Sequence, residues 1–251
     1  MTDEVLARYS RQLVLPEVDF AGQERLQAAR VGIIGIGGLG NPAALYLAGA
    51  GVGFLRLFDH DVIDVSNLHR QIGFRTKDVN ASKAKIMARE CLDLNPEIQI
   101  DCVADTLDEK TLLPYLQDVD VILDATDNFR SRFALNRLAI QLQKPLVMGS
   151  AIQWSGQWAV YQAFSEKAPC YACVFPESAQ EARVSCSEVG VIGPVAGVVG
   201  SMMALNTLQL LLGKAIPPAL QHFDGIAQQF KKMRLVKDPE CLCCQPQNTL
   251  S

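Results

Sequence analysis

Short apolar runs alternate with helix-forming segments along the first 150 residues. The runs predict buried strands at 30–35, 53–58, 98–103, 119–123 and 145–148. Helices are predicted at 4–13, 19–29, 42–49, 82–94 and 131–143. Because strands that alternate with helices pair in parallel, the pattern predicts a Rossmann-like, doubly wound α/β sheet that is mostly parallel.

The pattern of polar and apolar positions changes after residue 150. It predicts a strand at 159–164, an irregular polar stretch at 170–188, an apolar helix at 201–212 and a last strand at 228–235. The sequence contains no internal repeat and no disordered linker, so we expect one integrated domain with a mixed or antiparallel C-terminal extension. Its parts are N-terminal helices (1–29), a nucleotide-binding half (30–150) and a second half (151–251).

The composition favours a globular protein in the cytoplasm. The 251 residues are 49% hydrophobic with a net charge of −4, which argues against sequence-independent binding of nucleic acid or of an anionic membrane. Residues 189–213 carry no charge and are long enough to span a bilayer. Pro194, Asn206 and five glycines in that stretch favour instead a buried loop and helix, with a subunit interface as one setting. The polar residues 1–11 predict no signal peptide.

A glycine-rich loop joins the first predicted strand to the next helix. Gly35–Gly40 has the G-x-G-x-x-G spacing, in which glycines let backbone N–H groups approach a phosphate at a helix N-terminus. Asp59 ends the second predicted strand, where a carboxylate accepts hydrogen bonds from ribose hydroxyls. By itself the motif fits an NAD-dependent dehydrogenase as well as an ATP site, and it also occurs in turns that bind no ligand.

Polar residues that follow Asp59 favour ATP. Asn67, Arg70 and Lys83 come close after it in the sequence. Hydride transfer does not need two cations there, whereas a triphosphate does, because its charge grows in the transition state of attack at the α-phosphorus. Asp127 follows another predicted strand at the same edge of the sheet and is suited to hold Mg²⁺. Each charge taken singly also fits a solvated loop.

Two cysteine pairs supply the ligands for a metal ion. Four thiolates in two C-x-x-C units form the closed set typical of structural Zn²⁺, and they are Cys170, Cys173, Cys241 and Cys244. Such a zinc staple would tie the C-terminal tail to a loop of the second half. Cys243 is then spare, although it stays an alternative ligand to Cys241 or Cys244.

A set of short motifs recurs in a fixed order along nearly the whole chain. It comprises Arg8–Gln12, Gly35–Gly40, Gly49–Gly53, Asp59–Asp61, Ser66–Leu68, Arg70–Gln71, Asp124–Asn128, Gly190–Pro194 and the two cysteine pairs. In these segments the chain resembles the MoeB/ThiF adenylyltransferases, bacterial relatives of ubiquitin-activating enzymes. Few families share this ordered set, so the resemblance is specific. His69 is a departure, because relatives usually carry Gln there.

The resemblance implies which residues bind ATP. They are Gly38, Asp59, Ser66, Asn67, Leu68, His69, Arg70, Lys83, Asp127 and Asn128. Gly38 would lie against the nucleotide, Asp59 on the ribose, the two cations and Asn67 on the phosphates, and Asp127 on Mg²⁺. Arg11 is expected to reach into the ATP site of the partner subunit, which makes a homodimer necessary for activity. The sequence alone indicates only an exposed helix charge at Arg11.

The family's substrate is a small ubiquitin-fold sulfur carrier that ends in Gly-Gly. Its carboxylate attacks the α-phosphorus of ATP, giving an acyl-adenylate and pyrophosphate ahead of thiocarboxylate formation. Because this substrate brings its own nucleophile, the protein need only orient it, neutralise charge and exclude water. MoaD-type carriers (molybdenum cofactor) and ThiS-type carriers (thiamine) both fit, with residues 151–251 expected to bind the carrier. No rhodanese-like domain follows Ser251, so a separate sulfur donor is expected, such as a cysteine desulfurase or a rhodanese.

Three further cysteines have no place in the zinc set. Cys186 lies in a polar stretch near Arg183, where a thiolate would be stabilised. In the ThiF branch a cysteine at the matching place is associated with covalent attachment to the carrier, and in the MoeB branch one can be present without being required. Both roles stay open for Cys186. Cys91 and Cys102 follow helix and strand patterns and are expected in the core.

Two other functional classes fit parts of the sequence. An NAD-dependent oxidoreductase would need a substrate domain with a catalytic acid or base, which the sequence does not show, and it would bind NAD tightly without affinity for ATP. A non-catalytic scaffold would bind the carrier without forming adenylate. The presence of Arg11, Arg70, Lys83 and Asp127 argues against the scaffold.

Overall fold

The computed structural model describes residues 3–105, 108–165, 167–177 and 189–245. Its helices are α1 (Asp3–Leu13), α2 (Asp19–Ala28), α3 (Gly40–Ala50), α4 (Lys83–Leu94), α5 (Glu109–Leu116), α6 (Phe129–Leu142), α7 (Tyr171–Val174) and α8 (Gly193–Leu211). Its strands are β1 (Arg30–Ile34), β2 (Phe54–Phe58), β3 (Gln99–Val103), β4 (Val121–Asp124), β5 (Leu146–Ile152), β6 (Ser155–Tyr161), β7 (Ala219–Asp224) and β8 (Gln229–Arg234).

The strands form one sheet whose first half is parallel, which confirms the doubly wound α/β class. The strand order is β3-β2-β1-β4-β5-β6-β7-β8, and β1 to β5 pair in parallel. The chain runs from β1 outward to β2 and β3 and then crosses back to β4. The order therefore reverses between β1 and β4, and ligands of such sheets bind at the carboxyl ends of the strands at this reversal.

Apolar side chains cover both faces of the sheet. On one face, Leu47, Met87 and Met203 belong to a buried cluster contributed by α3, α4 and α8. On the other face, Leu116 and Phe133 belong to a second cluster contributed by α5 and α6. Full burial of such a side chain stabilises the fold by about 1.5–3 kcal/mol, so the strands that carry the site are held from both sides.

The second half of the sheet is antiparallel, which confirms the predicted C-terminal extension. β5 and β6 form a hairpin around Gln153, whose φ of 51° is left-handed, and β7 and β8 complete the extension. The predicted strand at 159–164 starts four residues too late, since β6 begins at Ser155. The start of β6 is hard to predict because it contains Gly156, a residue that is uncommon in strands. A Cβ at Gly156 would meet Val199, so glycine at this position lets α8 pack against β6.

Helix α8 is longer than its apolar pattern predicts. It begins at Gly193 rather than at residue 201, because its glycines serve close packing instead of a loop: a Cβ at Gly200 would collide with the carbonyl oxygen of Leu39. Among the described residues, α8 is the helix long and apolar enough to cross a membrane, by length and composition only. Of its most apolar stretch of 18 residues, 39% is buried. Val199 and Met203 are fully buried in the core, as expected for the central helix of a globular domain.

Candidate functional site

The glycine loop lies at the carboxyl end of β1, where the strand order reverses. Gly35 has a φ of 90°, a left-handed conformation that favours glycine. A Cβ at Gly40 would collide with the carbonyl oxygen of Gly35, so the loop can close onto the start of α3 only with glycine at position 40. The loop therefore has the tight turn and helix N-terminus that a phosphate site requires.

Asp59, at the end of β2, is tied to this loop. Its Oδ2 accepts a hydrogen bond from the backbone N of Ile36 at 2.7 Å, and its Oδ1 accepts one from the backbone N of Asp61 at 2.9 Å. Burial raises the pKa of Asp59, while the positive charge of Lys83 opposes that rise. The residue thus has a structural role that the sequence motif does not reveal, and each carboxylate oxygen keeps a lone pair for a ribose hydroxyl.

Lys83 starts helix α4 and turns its ammonium group back toward the crevice. Only 7% of the residue is exposed, and its Nζ lies 2.7 Å from Asp61 Oδ2. The hydrogen bond from Lys83 lowers the pKa of Asp61, so this carboxylate stays ionised beside the buried cation. Sequence analysis did not identify Asp61 as a site residue; its position two residues after Asp59 is the signal that could have found it.

Arg70 lies directly against the glycine loop. Its Cγ is 3.5 Å from the position that a Cβ on Gly38 would occupy, and its Nη1 is 3.0 Å from the carbonyl oxygen of Ser66 and 2.9 Å from His69 Nε2. The side chains of Ser66 and Asn67 make local hydrogen bonds with Asp64 in a short 3-10 turn that precedes Leu68. The turn fixes the segment from which Arg70 projects.

Asp127 and Asn128 come from the loop after β4, the neighbour of β1. Asn128 caps α6, since its Oδ1 accepts a hydrogen bond from the backbone N of Ser131 at 2.8 Å. Asp127 is exposed. A carboxylate at this edge of the sheet, next to the glycine loop, can bind a cation together with phosphate oxygens.

Arg11 does not belong to the crevice of its own chain. The end of α1 is anchored near the opposite edge of the sheet, because Gln12 Nε2 donates to the carbonyl oxygen of Ala50, the last residue of α3. Helix α3 starts at the glycine loop and has 11 residues, which separates its two ends by about 15 Å. Arg11 is exposed at this far end.

The four predicted zinc ligands come together. The sulfur atoms of Cys170, Cys173, Cys241 and Cys244 all lie within 4.8 Å of one another. Three pairs are 3.5, 3.7 and 3.8 Å apart, close to the edge of about 3.8 Å that a tetrahedron with Zn–S bonds of 2.3 Å requires. The donor set and its size therefore fit Zn²⁺.

Cys243 lies beside the cluster and is bound to helix α6. Asn136 of α6, only 1% exposed, donates from Nδ2 to Cys243 Sγ at 3.1 Å, and its Oδ1 accepts from the backbone N of Tyr171 at 2.8 Å. One amide therefore connects both cysteine segments to α6. Sequence analysis missed Asn136, which has no motif signal of its own within a helix.

The remaining cysteines divide between the core and an undescribed segment. Cys91 is fully buried in α4, where burial raises its thiol pKa to about 12. Burial also raises the pKa of Cys102 in β3. Cys91 is a core residue, as expected, and Cys102 is half-buried and packs against the same core. Cys186 lies outside the described residues.

A doubly wound sheet with a phosphate-type glycine loop, two cations beside it and a four-cysteine cluster defines a nucleotide-binding α/β protein whose clustered cysteines could hold a metal ion. The chain belongs to the ThiF family, whose sequence profile matches residues 9–243. It is 40% identical to the sulfur carrier protein adenylyltransferase of Thermus thermophilus, covering 99% of this chain and 94% of that protein. It is also 40% identical to the sulfur carrier protein ThiS adenylyltransferase of Escherichia coli, over 99% and 98%.

Two other comparisons bear on extent and on fold. The chain is 41% identical to the adenylyltransferase and sulfurtransferase MOCS3 of Drosophila grimshawi, but covers 56% of that longer protein. The crystal structure of E. coli MccB with ATP superposes with a TM-score of 0.81, covering 95% of this chain and 73% of MccB. At 23% sequence identity, this likeness shows the fold alone.

Proposed function

We propose that this protein adenylates the C-terminal Gly-Gly carboxylate of a ubiquitin-like sulfur carrier, of MoaD type or ThiS type. The carboxylate attacks the α-phosphorus of ATP, and the products are the carrier acyl-adenylate and pyrophosphate. Thiocarboxylate formation for molybdenum cofactor or thiamine biosynthesis follows. The observation that carries this proposal is the end-to-end match, at 40% identity, to bacterial proteins named as adenylyltransferases of sulfur carriers.

The crevice contains the groups that such a reaction needs. Arg70 lies against the glycine loop and Lys83 is buried at the same edge of the sheet, so both cations would stabilise the charge that develops on the phosphates. Asp59 would bind the ribose. Asp127 would hold Mg²⁺, which neutralises phosphate charge when it is bound. An NAD-dependent oxidoreductase gains no support from a buried lysine at this place.

The parts of the proposal outside the crevice concern the assembly and the metal. A homodimer is required if Arg11 acts on ATP, because Arg11 lies at the far end of α3 from its own glycine loop. Zn²⁺ would bind the four clustered cysteines as a structural ion. The protein would act in the cytoplasm as a single adenylation domain, 1–251, and would depend on a separate sulfur donor.

Cys186 is the proposed point of covalent attachment to the carrier, with a dispensable cysteine as the alternative. Its replacement separates the two roles. If Cys186→Ala leaves thiocarboxylate formation with the native sulfur donor at the wild-type level, the covalent role is excluded. A loss of thiocarboxylate with adenylation intact supports it.

Pyrophosphate exchange into ATP tests the adenylation step. Purified MoaD-type and ThiS-type carriers are assayed in parallel. We expect exchange with one of them, reduced by a factor of about 100 or more in Asp127→Ala and unchanged in Asp93→Ala, an exposed aspartate on α4. ATP binding without exchange for either carrier would move the assignment to another carrier or to a scaffold, and tight NAD binding without ATP binding would favour the oxidoreductase.

A further inference from the structure

Two buried charged side chains lie behind the loop that carries Asp127. Asp124 is the last residue of β4 and is fully buried, and Arg132 lies in the first turn of α6 with 6% of its surface exposed. Charged residues are almost never buried without a partner or a function. Neither residue is expected to contact the nucleotide, so their contacts need a separate explanation.

Asp124 holds the amino side of Thr126. Its Oδ1 accepts hydrogen bonds from the backbone N of Thr126 at 2.9 Å and from Thr126 Oγ1 at 2.6 Å. Burial raises the pKa of Asp124, and the positive charge of Arg132 is the main opposing effect. The carboxyl group therefore fixes the peptide that joins Ala125 to Thr126.

Arg132 holds the carbonyl side of the same residue. Its Nη2 donates to the carbonyl oxygen of Thr126 at 3.0 Å and to that of Gly149 in β5 at 3.3 Å. The first of these bonds fixes the peptide that joins Thr126 to Asp127. The second ties the loop to the neighbouring strand, so the backbone immediately before Asp127 is held on both sides.

The pair is not explained by stability alone. Asp124 Oδ2 and Arg132 Nε are buried and have no hydrogen-bond partner in the described part of the chain. Each such atom costs about 1–3 kcal/mol of stability, and a buried charge that is only partly hydrogen-bonded costs more than an apolar side chain at the same place. A role in the geometry of the neighbouring loop accounts for two buried charges at this place.

We propose that Arg132 and Asp124 are positioning residues for Asp127. By fixing both peptide groups of Thr126, they hold the Asp127 carboxylate at the carboxyl edge of β4, where it meets the metal ion that accompanies ATP. Both residues are buried behind the loop and act through Asp127. The inference rests on the proposed function for the role of Asp127 and adds the residues that set its position.

The dependence of ATP affinity on Mg²⁺ tests the proposal. Arg132→Met removes the donors while keeping a long side chain. We expect it to reduce the gain in ATP affinity on adding Mg²⁺ by about tenfold, with the metal-free affinity unchanged. Arg132→Lys should retain part of the gain because one donor group remains. Arg130→Met, at an exposed position of the same helix, should match the wild type.

A double-variant cycle separates positioning from general damage. Asp127→Ala, Arg132→Met and the combined variant are compared for the same Mg²⁺-dependent gain. If Arg132 acts through Asp127, the combined variant loses no more than Asp127→Ala alone. Losses that add would overturn the proposal, as would a full Mg²⁺ response in Arg132→Met.

Two conservative variants keep the test decisive if Arg132→Met does not fold. Asp124→Asn and Arg132→Lys preserve size, and each enters the same cycle with Asp127→Ala. The positioning role and the proposed function can be disproved independently. If the wild-type protein binds ATP with Mg²⁺ but exchanges no pyrophosphate with any carrier, the proposed function is wrong and the variant cycle can still be measured. Wild-type exchange together with an additive cycle removes only the positioning role.

Discussion

Single residues decide whether the nucleotide loop can form, and Gly40 is the most restricted of them. An added Cβ at this position meets the backbone carbonyl of Gly35, which cannot move aside as a side chain can. We expect Gly40→Ala to lower the free energy of unfolding by about 1–3 kcal/mol, as overpacking does. In thermal denaturation this is a fall in Tm of a few degrees for each kcal/mol.

Gly37 offers the matched control in the same loop. A Cβ there has Gln71 Nε2 as its nearest neighbour at 3.7 Å, an ordinary contact distance. Gly37→Ala should therefore change the free energy of unfolding by less than about 1 kcal/mol and leave the Tm close to the wild-type value. Equal loss in both variants would contradict the steric account of position 40.

The Lys83–Asp61 pair predicts how stability depends on pH. The pKa of Asp61 lies below its ordinary value of 3.8 because Lys83 donates a hydrogen bond to it. A carboxylate whose pKa is lowered by folding stabilises the fold above the ordinary value, and this contribution disappears as the pH falls through the lower, folded value. Urea denaturation from pH 5 downward should show a smaller acid loss for Asp61→Asn than for the wild type.

Replacing either partner of the Lys83–Asp61 pair should lower stability at pH 7 by different amounts. Asp61→Asn leaves the buried ammonium group of Lys83 without its carboxylate, whereas Lys83→Met removes the buried charge itself. Only Lys83 is buried, since the side chain of Asp61 is 54% exposed; a buried ammonium group without its carboxylate destabilises more than an apolar side chain in its place. Asp61→Asn should therefore have the lower Tm at pH 7, and the reverse order would show that the pair contributes little.

At the scale of the elements, the parallel half of the fold follows from the sequence and the antiparallel half only in part. Buried parallel strands read as continuous apolar runs, so β1 to β4 were predicted to within two residues at either end. Helix α5 was missed because Pro114 interrupts its helical pattern. Strand β7 was missed because polar residues such as His222 alternate poorly with its apolar ones.

Site residues could be predicted from the sequence where they belong to a motif with a known chemical role. They could not be predicted where their role depends on packing. Arg70 and Lys83 could be predicted because a triphosphate needs cations beside its glycine loop, whereas Gly38 was predicted from the family resemblance; their roles in binding ATP stay predictions. Asp61 and Arg132 were not predicted, because their roles depend on which backbone groups the fold brings next to them. The residues of these two contacts are 22 and 6 positions apart, and neither spacing is a recognised motif.

Helix α6 links the loop that carries Asp127 to the cysteine cluster, and Asn136 makes the contact with the cluster. Asn136→Ala takes an acceptor from the buried N–H of Tyr171 and a donor from Cys243 Sγ. Loss of a partner for a buried group costs about 1–3 kcal/mol. We expect a lower Tm and faster release of zinc to a colorimetric chelator. Asn206→Ala should release zinc at the wild-type rate, because among the described residues its amide bonds Gln209 of the same helix.

At the scale of the whole molecule, the cysteine cluster joins the C-terminal tail to the segment after β6. The geometry predicts one zinc ion per chain by metal analysis, and a fall in Tm after treatment with a chelator, because a structural site contributes its binding energy to folding. Cys241→Ser should abolish zinc retention, since its sulfur belongs to the tetrahedral set. Cys243→Ser should keep one zinc per chain, and zinc loss in that variant would make Cys243 a ligand.

The position of Arg11 leads to a prediction about the assembly. If Arg11 completes the crevice of a partner subunit, Arg11→Ala in one chain and Asp127→Ala in the other fall in the same site of a mixed dimer, so the second site keeps both native residues. With equal mixing and full subunit exchange, half of the dimers are mixed and about a quarter of all sites recover. Pyrophosphate exchange should then rise from near zero for each variant alone to about a quarter of the wild-type rate.

A second mixture shows whether recovery has this cause. Lys83→Met and Asp127→Ala both alter the crevice formed by one chain, so neither site of their mixed dimer is intact and no exchange should return. Recovery in the first mixture and not in the second requires Arg11 to act across the subunit boundary, as its place at the far end of α3 demands. If neither mixture recovers although subunits exchange, Arg11 has no role in the partner's site. An Arg11→Ala variant that is fully active alone would show that its charge serves only the surface of α1.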